Sequence, residues 1–144
     1  MLSLGCKASI KAVIFLATQK VGAPRPGMAE IAHHIGENVQ TVGKLLQKLV
    51  KADIIKSAKG PSGGFYITEG QLDARLLVIV QAIDGPDIFN QCGLGLSKCS
   101  ATTPCPLHFQ YKPIRDGFEN ICKLNTIRDA CAPVMDGLAY LVNR

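Results

Sequence analysis

The sequence predicts a mainly α-helical protein with a small β-hairpin wing, that is, a winged helix-turn-helix plus a long dimerisation helix. Two observations support this fold class. Apolar residues recur at helical spacing along most of the chain, and two short helices separated by a glycine are followed directly by a glycine-rich hairpin. The chain has 144 residues, of which 47% are hydrophobic and 19% charged, so it can bury a core of its own.

Composition also indicates a compartment and a class of partner. The apolar runs are too short to span a bilayer, and the N-terminus lacks the apolar segment of a signal peptide, so we expect a cytoplasmic protein. In that compartment the six cysteines indicate metal or redox chemistry rather than a disulfide framework. The net charge is +5, and no acidic residue precedes Glu30. Positive charge concentrated in the first sixty residues favours a polyanionic partner.

The first three helices follow from their apolar stripes and end signals. Residues 6–19 form the first, and residues 28–35 form a short second helix that Gly36 terminates. Asn38 is expected to cap the third. Its inner stripe contains Val39, Val42, Leu45, Leu46 and Leu49. Two helices joined by such a turn form a helix-turn-helix, whose second helix enters the major groove of DNA.

The outward face of the third helix carries side chains that suit base and phosphate contacts. They are Gln40, Thr41, Lys44, Gln47, Lys48 and Lys51. Residues 54–58 and 65–68 read as strands, and the tip between them contains Lys59, Gly60, Ser62 and Gly63, which suit the minor groove. The alternative for the helix alone is a solvated face with ordinary lysines. The basic hairpin that follows favours DNA binding.

The sequence of the second half of the chain predicts helices on both sides of a loop. Asp73 is expected to cap a helix that runs to residue 83. After the loop, the apolar residues Tyr111, Ile114, Phe118 and Ile121 form a narrow stripe that suits a partner helix from a second copy of the chain. Pro113 predicts a kink there or a helix that starts near Lys112. Asn125 is expected to cap a further helix, and Pro133 to open the last. We expect a DNA-binding domain at residues 1–70 and a sensor and dimerisation domain at residues 71–144.

The loop itself holds three cysteines and a histidine with the spacing C-x6-C-x5-C-x2-H. These residues are Cys92, Cys99, Cys105 and His108. Thiolate is the ligand that iron–sulfur clusters and zinc prefer, and imidazole can take a remaining coordination position. The alternative is that these cysteines are buried small hydrophobes. Cys6, Cys122 and Cys131 lie on helical apolar patterns, and we assign them to packing.

Residues 49–65 (LVKADIIKSAKGPSGGF) carry a family resemblance. Together with residues 82–85 and the three-cysteine loop before a long helix, this segment is similar to the Rrf2 family of bacterial winged-helix transcription regulators, over essentially the whole chain. The resemblance implies a homodimer that binds a promoter operator. It also implies an iron–sulfur cluster, [2Fe–2S] in preference to [4Fe–4S], held by Cys92, Cys99, Cys105 and His108, as in members that regulate cluster assembly.

Members of that family that sense nitric oxide instead take an acidic ligand from the N-terminal region of the partner. Position 8 is Ala8 here, and no acid precedes Glu30, which disfavours that arrangement. Other interpretations stay open. The loop could be a thiol switch or a zinc site in the same DNA-binding protein, or the chain could be an iron–sulfur carrier. An enzyme is not expected, because no third residue orients a Cys/His pair. The operator, the signal and the choice between repressor and activator stay open.

Overall fold

The computed structural model describes residues 1–97 and 99–143 of the chain. Within these residues it contains six α-helices, one antiparallel hairpin and two single turns of 3-10 helix. The elements in chain order are α1 (Leu4–Ala17), α2 (Met28–Ile35), α3 (Val39–Lys51), β1 (Lys56–Ala58), β2 (Gly64–Tyr66), a 3-10 turn (Gln71–Asp73), α4 (Leu76–Asp84), a second 3-10 turn (Ile88–Asn90), α5 (His108–Leu124) and α6 (Ile127–Met135). A mainly helical chain with a small hairpin was the predicted class, and it is confirmed.

Helix α1 lies at the centre of the fold. It starts two residues before the predicted position because the Ser3 hydroxyl accepts a hydrogen bond of 3.0 Å from the amide of Cys6. Most of its residues are buried, since α2, α3, α4 and α6 all pack against it. One apolar cluster joins Leu16 of α1, Ile79 of α4 and Ile127 of α6. The core therefore crosses residue 70, and the division of the chain at that point stays a prediction.

The turn between α2 and α3 has the predicted geometry. Gly36 ends α2 in the left-handed conformation, with φ 70° and ψ 36°, which glycine adopts without steric cost. The Asn38 side chain then accepts hydrogen bonds of 2.9 and 3.2 Å from the amides of Gln40 and Thr41. One expectation is wrong: Val39 is 42% exposed, because as the first residue of α3 it lies beyond the edge of the core.

The hairpin pairs Lys56 with Tyr66, Ser57 with Phe65 and Ala58 with Gly64. Its strands are shorter than predicted because Ile54 and Ile55 belong to the buried core rather than to the ladder. The amide of Phe65 donates a hydrogen bond of 2.9 Å to the carbonyl of Pro26. The wing is thereby joined to the segment that connects α1 and α2.

Three predicted helix ends in the second half are wrong. Asp73 lies in a 3-10 turn and binds Arg128 at 3.1 Å instead of capping α4, which begins after Arg75. Thr126, not Asn125, caps α6, because Thr126 and Asp129 form a reciprocal capping box. Pro133 lies inside α6 and does not open a helix.

Helix α5 starts at His108, earlier than Lys112, and continues through Pro113. No helix among residues 1–97 and 99–143 combines the length and apolar character that crossing a bilayer needs.

Candidate nucleic-acid interface and cysteine loop

Helix α3 presents a basic face that is free of acidic residues. Its inner side is fixed to the core by Val42, Leu46 and Leu49. The opposite side is exposed and carries Gln40, Thr41, Lys44, Gln47, Lys48 and Lys51. None of these lysines forms a salt bridge with any residue that the structure describes. The face can therefore offer its amide, hydroxyl and ammonium groups to an anionic partner.

The wing tip adds a second basic element. Lys59, Gly60 and Ser62 are exposed and Gly63 is half-buried. Lys59 has no carboxylate partner in the described part of the chain, whereas Lys56 on β1 is bound to Asp53 at 2.6 Å. Of these two wing lysines, only Lys59 is thus free to bind a phosphate.

Arg25 lies beside the wing, and the sequence interpretation did not include it. Its guanidinium carbon lies 4.1 Å from the centre of the Tyr66 ring, which is a cation–π contact. The backbone approaches closely at the same place: a Cβ on Gly64 would lie 2.5 Å from the carbonyl oxygen of Arg25. No sequence signal predicts this stack, because a proline-rich connection does not indicate which side chain will meet the wing.

The four predicted ligands of the cysteine loop form two pairs. The thiol of Cys99 lies 3.2 Å from Nδ1 of His108. Cys92 and Cys105 lie near enough for the Cys105 side chain to contribute to lowering the pKa of the Cys92 thiol. Among the described residues, no three His, Cys, Asp or Glu side chains converge as a metal site would require. Lys98, within the predicted loop, lies outside the described residues.

Backbone amides surround the first thiol of the loop. The amide of Leu94 donates to Cys92 Sγ at 3.4 Å. This amide first, then that of Leu96, and to a smaller extent the Cys105 side chain and the amide of Gly95, hold the pKa of the Cys92 thiol below its usual range of about 9.0. Amide groups near the sulfur stabilise its thiolate form.

Helix α5 anchors the start of the loop. Arg115 is buried, 4% exposed, and donates a hydrogen bond of 2.7 Å to the carbonyl of Gln91. Gly93 lies against the ring of Tyr111, so closely that a Cβ there would be 2.8 Å from Cδ1. Both anchors were missed, because the charge of Arg115 and the position of Tyr111 are equally compatible with an exposed helix face.

The donor set fits an iron–sulfur cluster in chemistry. Three thiols and one imidazole are the ligand types that such clusters accept, and amide hydrogen bonds to a ligand sulfur are a usual feature of their sites. The remaining three cysteines differ. Cys6, Cys122 and Cys131 are almost fully buried among apolar side chains. Burial is the main cause that raises the pKa of each of these three thiols.

The predicted dimerisation stripe divides into two faces of α5. Tyr111 packs on Gly93, and Phe118 packs on Phe89 of the chain's own core with ring centres 6.0 Å apart, so both rings contact residues of the same chain. Ile114 and Ile121 remain 67% and 54% exposed. They lie seven residues apart, and Leu124 is exposed three residues further on, which is the spacing of a coiled-coil seam.

Comparison of the sequence with known proteins identifies the family. A family model described as Rrf2, iron-dependent transcriptional regulator, matches residues 2–133. The HTH-type transcriptional regulator IscR of Vibrio atlanticus is 24% identical over 106 residues, which are 74% of this chain and 60% of that protein. The chain spans about three fifths of the length of the curated relatives it matches.

Two solved structures share the fold. CymR, described as the global cysteine regulator of B. subtilis, superposes with a TM-score of 0.71 at 19% identity and covers 92% of this chain and 96% of that one. T. potens IscR superposes with a TM-score of 0.70 at 16% identity, over 96% of this chain and 91% of that one.

Proposed function

Because the chain belongs to the Rrf2 family of transcriptional regulators, we propose that it is a dimeric DNA-binding regulator whose operator binding depends on an iron–sulfur cluster at the loop of residues 92–108. The observation that carries the proposal is the attachment of this loop to α5. Arg115 and Tyr111 hold the residues on either side of Cys92, so a change at the thiols reaches the helix directly. The matched relatives are regulators, and the chain is not an enzyme.

Helix α3 and the wing carry the DNA contacts in this proposal. Gln40, Thr41 and Lys44 lie in the N-terminal turns of α3, where a recognition helix reaches the bases, and they supply sequence preference. Lys48, Lys51 and Lys59 lack described carboxylate partners and supply affinity for phosphates, which falls steeply with salt. Gly60, Ser62 and Gly63 allow the wing backbone to approach the minor groove.

The second copy of the chain binds along α5. One face of α5 exposes a row of large apolar side chains, namely Ile114, Ile121 and Leu124. Such an exposed apolar face marks a site of contact with another protein. Pairing two α5 helices along these residues buries them and brings two copies of α3 into one assembly. Such a dimer binds tightly only where its reading helices match half-sites about one turn of DNA apart.

Cys92, Cys99, Cys105 and His108 would hold the cluster, with the [2Fe–2S] type preferred. A bound cluster supplies a redox couple and can be gained or lost with the supply of iron. The residues of the chain position the ligands and connect them to α5. Drawing the Cys99–His108 pair and the Cys92–Cys105 pair together moves the start of the loop, and Arg115 transmits that movement to α5. The spacing of the two α3 helices then depends on the state of the loop.

A second candidate keeps the DNA binding and replaces the cluster with thiol chemistry. The influence of the Cys105 side chain on the pKa of the Cys92 thiol favours it, because this influence requires the two thiols to lie near each other. Hydrogen peroxide could oxidise them to one disulfide, with two electrons passing to the peroxide, which leaves as water. A zinc ion on the same donors is the colourless variant of this candidate.

The test is a visible absorption spectrum of the full chain purified without oxygen, together with binding to DNA selected from a randomised duplex library. We expect visible bands that Cys99→Ala removes and that the buried-thiol control Cys131→Ala retains. DNA binding should change when the cluster is removed from the wild type but should not respond in Cys99→Ala. A colourless wild type with a full iron supply would contradict the cluster proposal, and failure to select any duplex would contradict the DNA-binding proposal.

A further inference from the structure

A cleft of about 700 Å³ lies between the wing and α6, and no residue of the cysteine loop lines it. Its walls come from the end of α1, the segment between α1 and α2, β2 with the residues after it, and α6. This volume is within the range of about 300–1,000 Å³ that small-molecule sites occupy. Neither the reading face of α3 nor the loop ligands line it.

Most of the cleft surface is apolar. The apolar lining residues include Leu16 from α1, Phe65 from β2, Leu72 from the first 3-10 turn and Met135 from α6. Such a wall binds the hydrocarbon part of a ligand by removing apolar surface from water.

The charge at the cleft is positive. Arg128 is already bound to Glu69 at 2.8 Å and to Asp73 at 3.1 Å, so both acids are paired with this cation, and Lys20 and Arg25 make the sum of these five charges positive. Lys20 and Arg25, which also line the cleft, form no salt bridge with any residue in the described ranges. A single negative group on a ligand would therefore find two cations without a competing carboxylate.

The walls are held in place before a ligand arrives. The segment between α1 and α2 contains Pro24 and Pro26, and its turn is closed by a hydrogen bond of 3.0 Å from the Ala23 amide to the Lys20 carbonyl. The bond from Phe65 to Pro26 joins this segment to β2, and the Arg25–Tyr66 stack supports the same contact. A preformed site loses less conformational freedom on binding.

We propose that this cleft binds a small amphipathic monocarboxylate, with its apolar body between Phe65 and Met135 and its carboxylate at Lys20 and Arg25. Because β2 is one wall of the cleft, the occupied state holds the wing in one position. The effect on the wing rests on the proposed function, since it concerns affinity for DNA. The binding of the carboxylate to the cleft does not rest on it. If the wing responds, a carboxylate and DNA change each other's affinity by the same factor.

The first test is a fluorescence titration of the full chain with anilinonaphthalene sulfonate, an apolar dye with one anionic group. We expect one saturable site per chain. Octanoate should displace the dye at concentrations roughly fivefold lower than octanol, which has the same apolar chain without the charge, and octylammonium should be weaker than either. Equal displacement by octanoate and octanol would overturn the carboxylate assignment.

Three variants locate the site. Ala132→Trp places an indole in the cleft from an exposed position on α6, and it should weaken dye and octanoate binding about tenfold or more. Lys20→Gln should remove most of the preference for octanoate over octanol. Leu4→Gln, at an exposed position at the start of α1 that does not line the cleft, should leave both affinities unchanged. Dye binding that survives Ala132→Trp, or that disappears in Leu4→Gln, would overturn the proposal, and circular dichroism checks that each variant is folded.

Discussion

Arg115 donates a hydrogen bond of 2.7 Å to the main-chain carbonyl of Gln91, 24 residues earlier in the chain. The donor lies in the middle of α5 and is buried, and the acceptor immediately precedes the first thiol of the loop. The Nε atom of Arg115 has no hydrogen-bond partner within the described residues. This buried charged side chain therefore joins the start of the loop to the helix that carries the proposed dimer seam.

Replacing Arg115 with leucine should loosen the start of the cysteine loop. A hydrogen bond from a charged donor contributes about 1.5–3 kcal/mol, so the amides of Leu94 and Gly95 should exchange with solvent roughly 10- to 100-fold faster. Hydrogen exchange measured by mass spectrometry checks this. Arg115→Lys keeps the charge and should show an intermediate rate. Unchanged exchange in the leucine variant would show that the loop does not depend on this contact.

Two glycine substitutions should change stability in opposite directions. Gly64 has φ 150°, and a Cβ there would lie 2.5 Å from the Arg25 carbonyl, so Gly64→Ala should lower the free energy of unfolding by about 1–3 kcal/mol. Gly43 lies inside α3 with ordinary helical geometry, and a Cβ there would meet only the flexible end of Met28, 2.9 Å away. Gly43→Ala should therefore raise the free energy of unfolding by about 0.5–1 kcal/mol. Urea denaturation of both variants measures the two changes in the free energy of unfolding. A Gly64→Ala variant as stable as the wild type would contradict the close approach of Gly64 to the Arg25 carbonyl.

The stability of the chain should fall in alkaline solution because of Cys6. Burial, followed by the charge of Asp84 and the nearby Cys122, raises the pKa of the Cys6 thiol from 9.0 to about 12. Between these values the unfolded chain loses this proton and the native chain retains it, so the free energy of unfolding decreases as pH rises. The slope contributed by this thiol is at most about 1.4 kcal/mol per pH unit.

Cys6→Ala should remove that part of the pH dependence, although the cavity it leaves lowers stability at every pH. The measurement is the unfolding free energy of both proteins below pH 9.0 and between pH 9.0 and about 12. Parallel profiles for the variant and the wild type would show that Cys6 ionises equally in the native and unfolded states.

The Asn38 cap should contribute measurably to the stability of the reading helix. Asn38→Ala removes the acceptor for the amides of Gln40 and Thr41 and should lower the free energy of unfolding by about 1 kcal/mol. Asn38→Ser retains a capping oxygen and should lose much less. Thermal denaturation of the pair measures the difference, and equal losses would mean that the cap hydrogen bonds contribute nothing specific.

Ile114→Glu should convert the proposed dimer into a folded monomer. The side chain is 67% exposed, so a charge is tolerated within one chain but not within a paired α5 seam. Sedimentation equilibrium measures the change in mass. Leu138→Glu, at another exposed apolar position, is the matched control and should leave the assembly unchanged. A dimer that persists in Ile114→Glu would place the interface elsewhere.

The helix-turn-helix could be predicted from the sequence because the signals that define it are local. The apolar stripe of α3, the left-handed Gly36 and the Asn38 cap each act within a few residues, and the structure agrees with all three apart from Val39. The helix ends of the second half were less certain from the chain alone. Asn125 and Thr126 are adjacent and both can cap, and the choice depends on Asp129, which completes a capping box only with Thr126.

The anchors of the cysteine loop depend on contacts distant in sequence. Arg115 has the spacing of a surface residue on α5 and becomes buried only because the loop covers it. The spacing of the four loop donors likewise does not determine which pairs meet, since the intervening residues are irregular and permit many closures. Cys92 with Cys105, and Cys99 with His108, are pairings that required coordinates.

The central position of α1 has a consequence for the architecture of the molecule. Its buried residues face the reading helices on one side and α4 and α6 on the other. A fragment that ends after the wing would leave one flank of α1 uncovered and prone to aggregate. Because α1 contacts α3 as well as α4 and α6, a movement of α1 relative to α4 or α6 also displaces α3, whose exposed face carries the proposed DNA contacts.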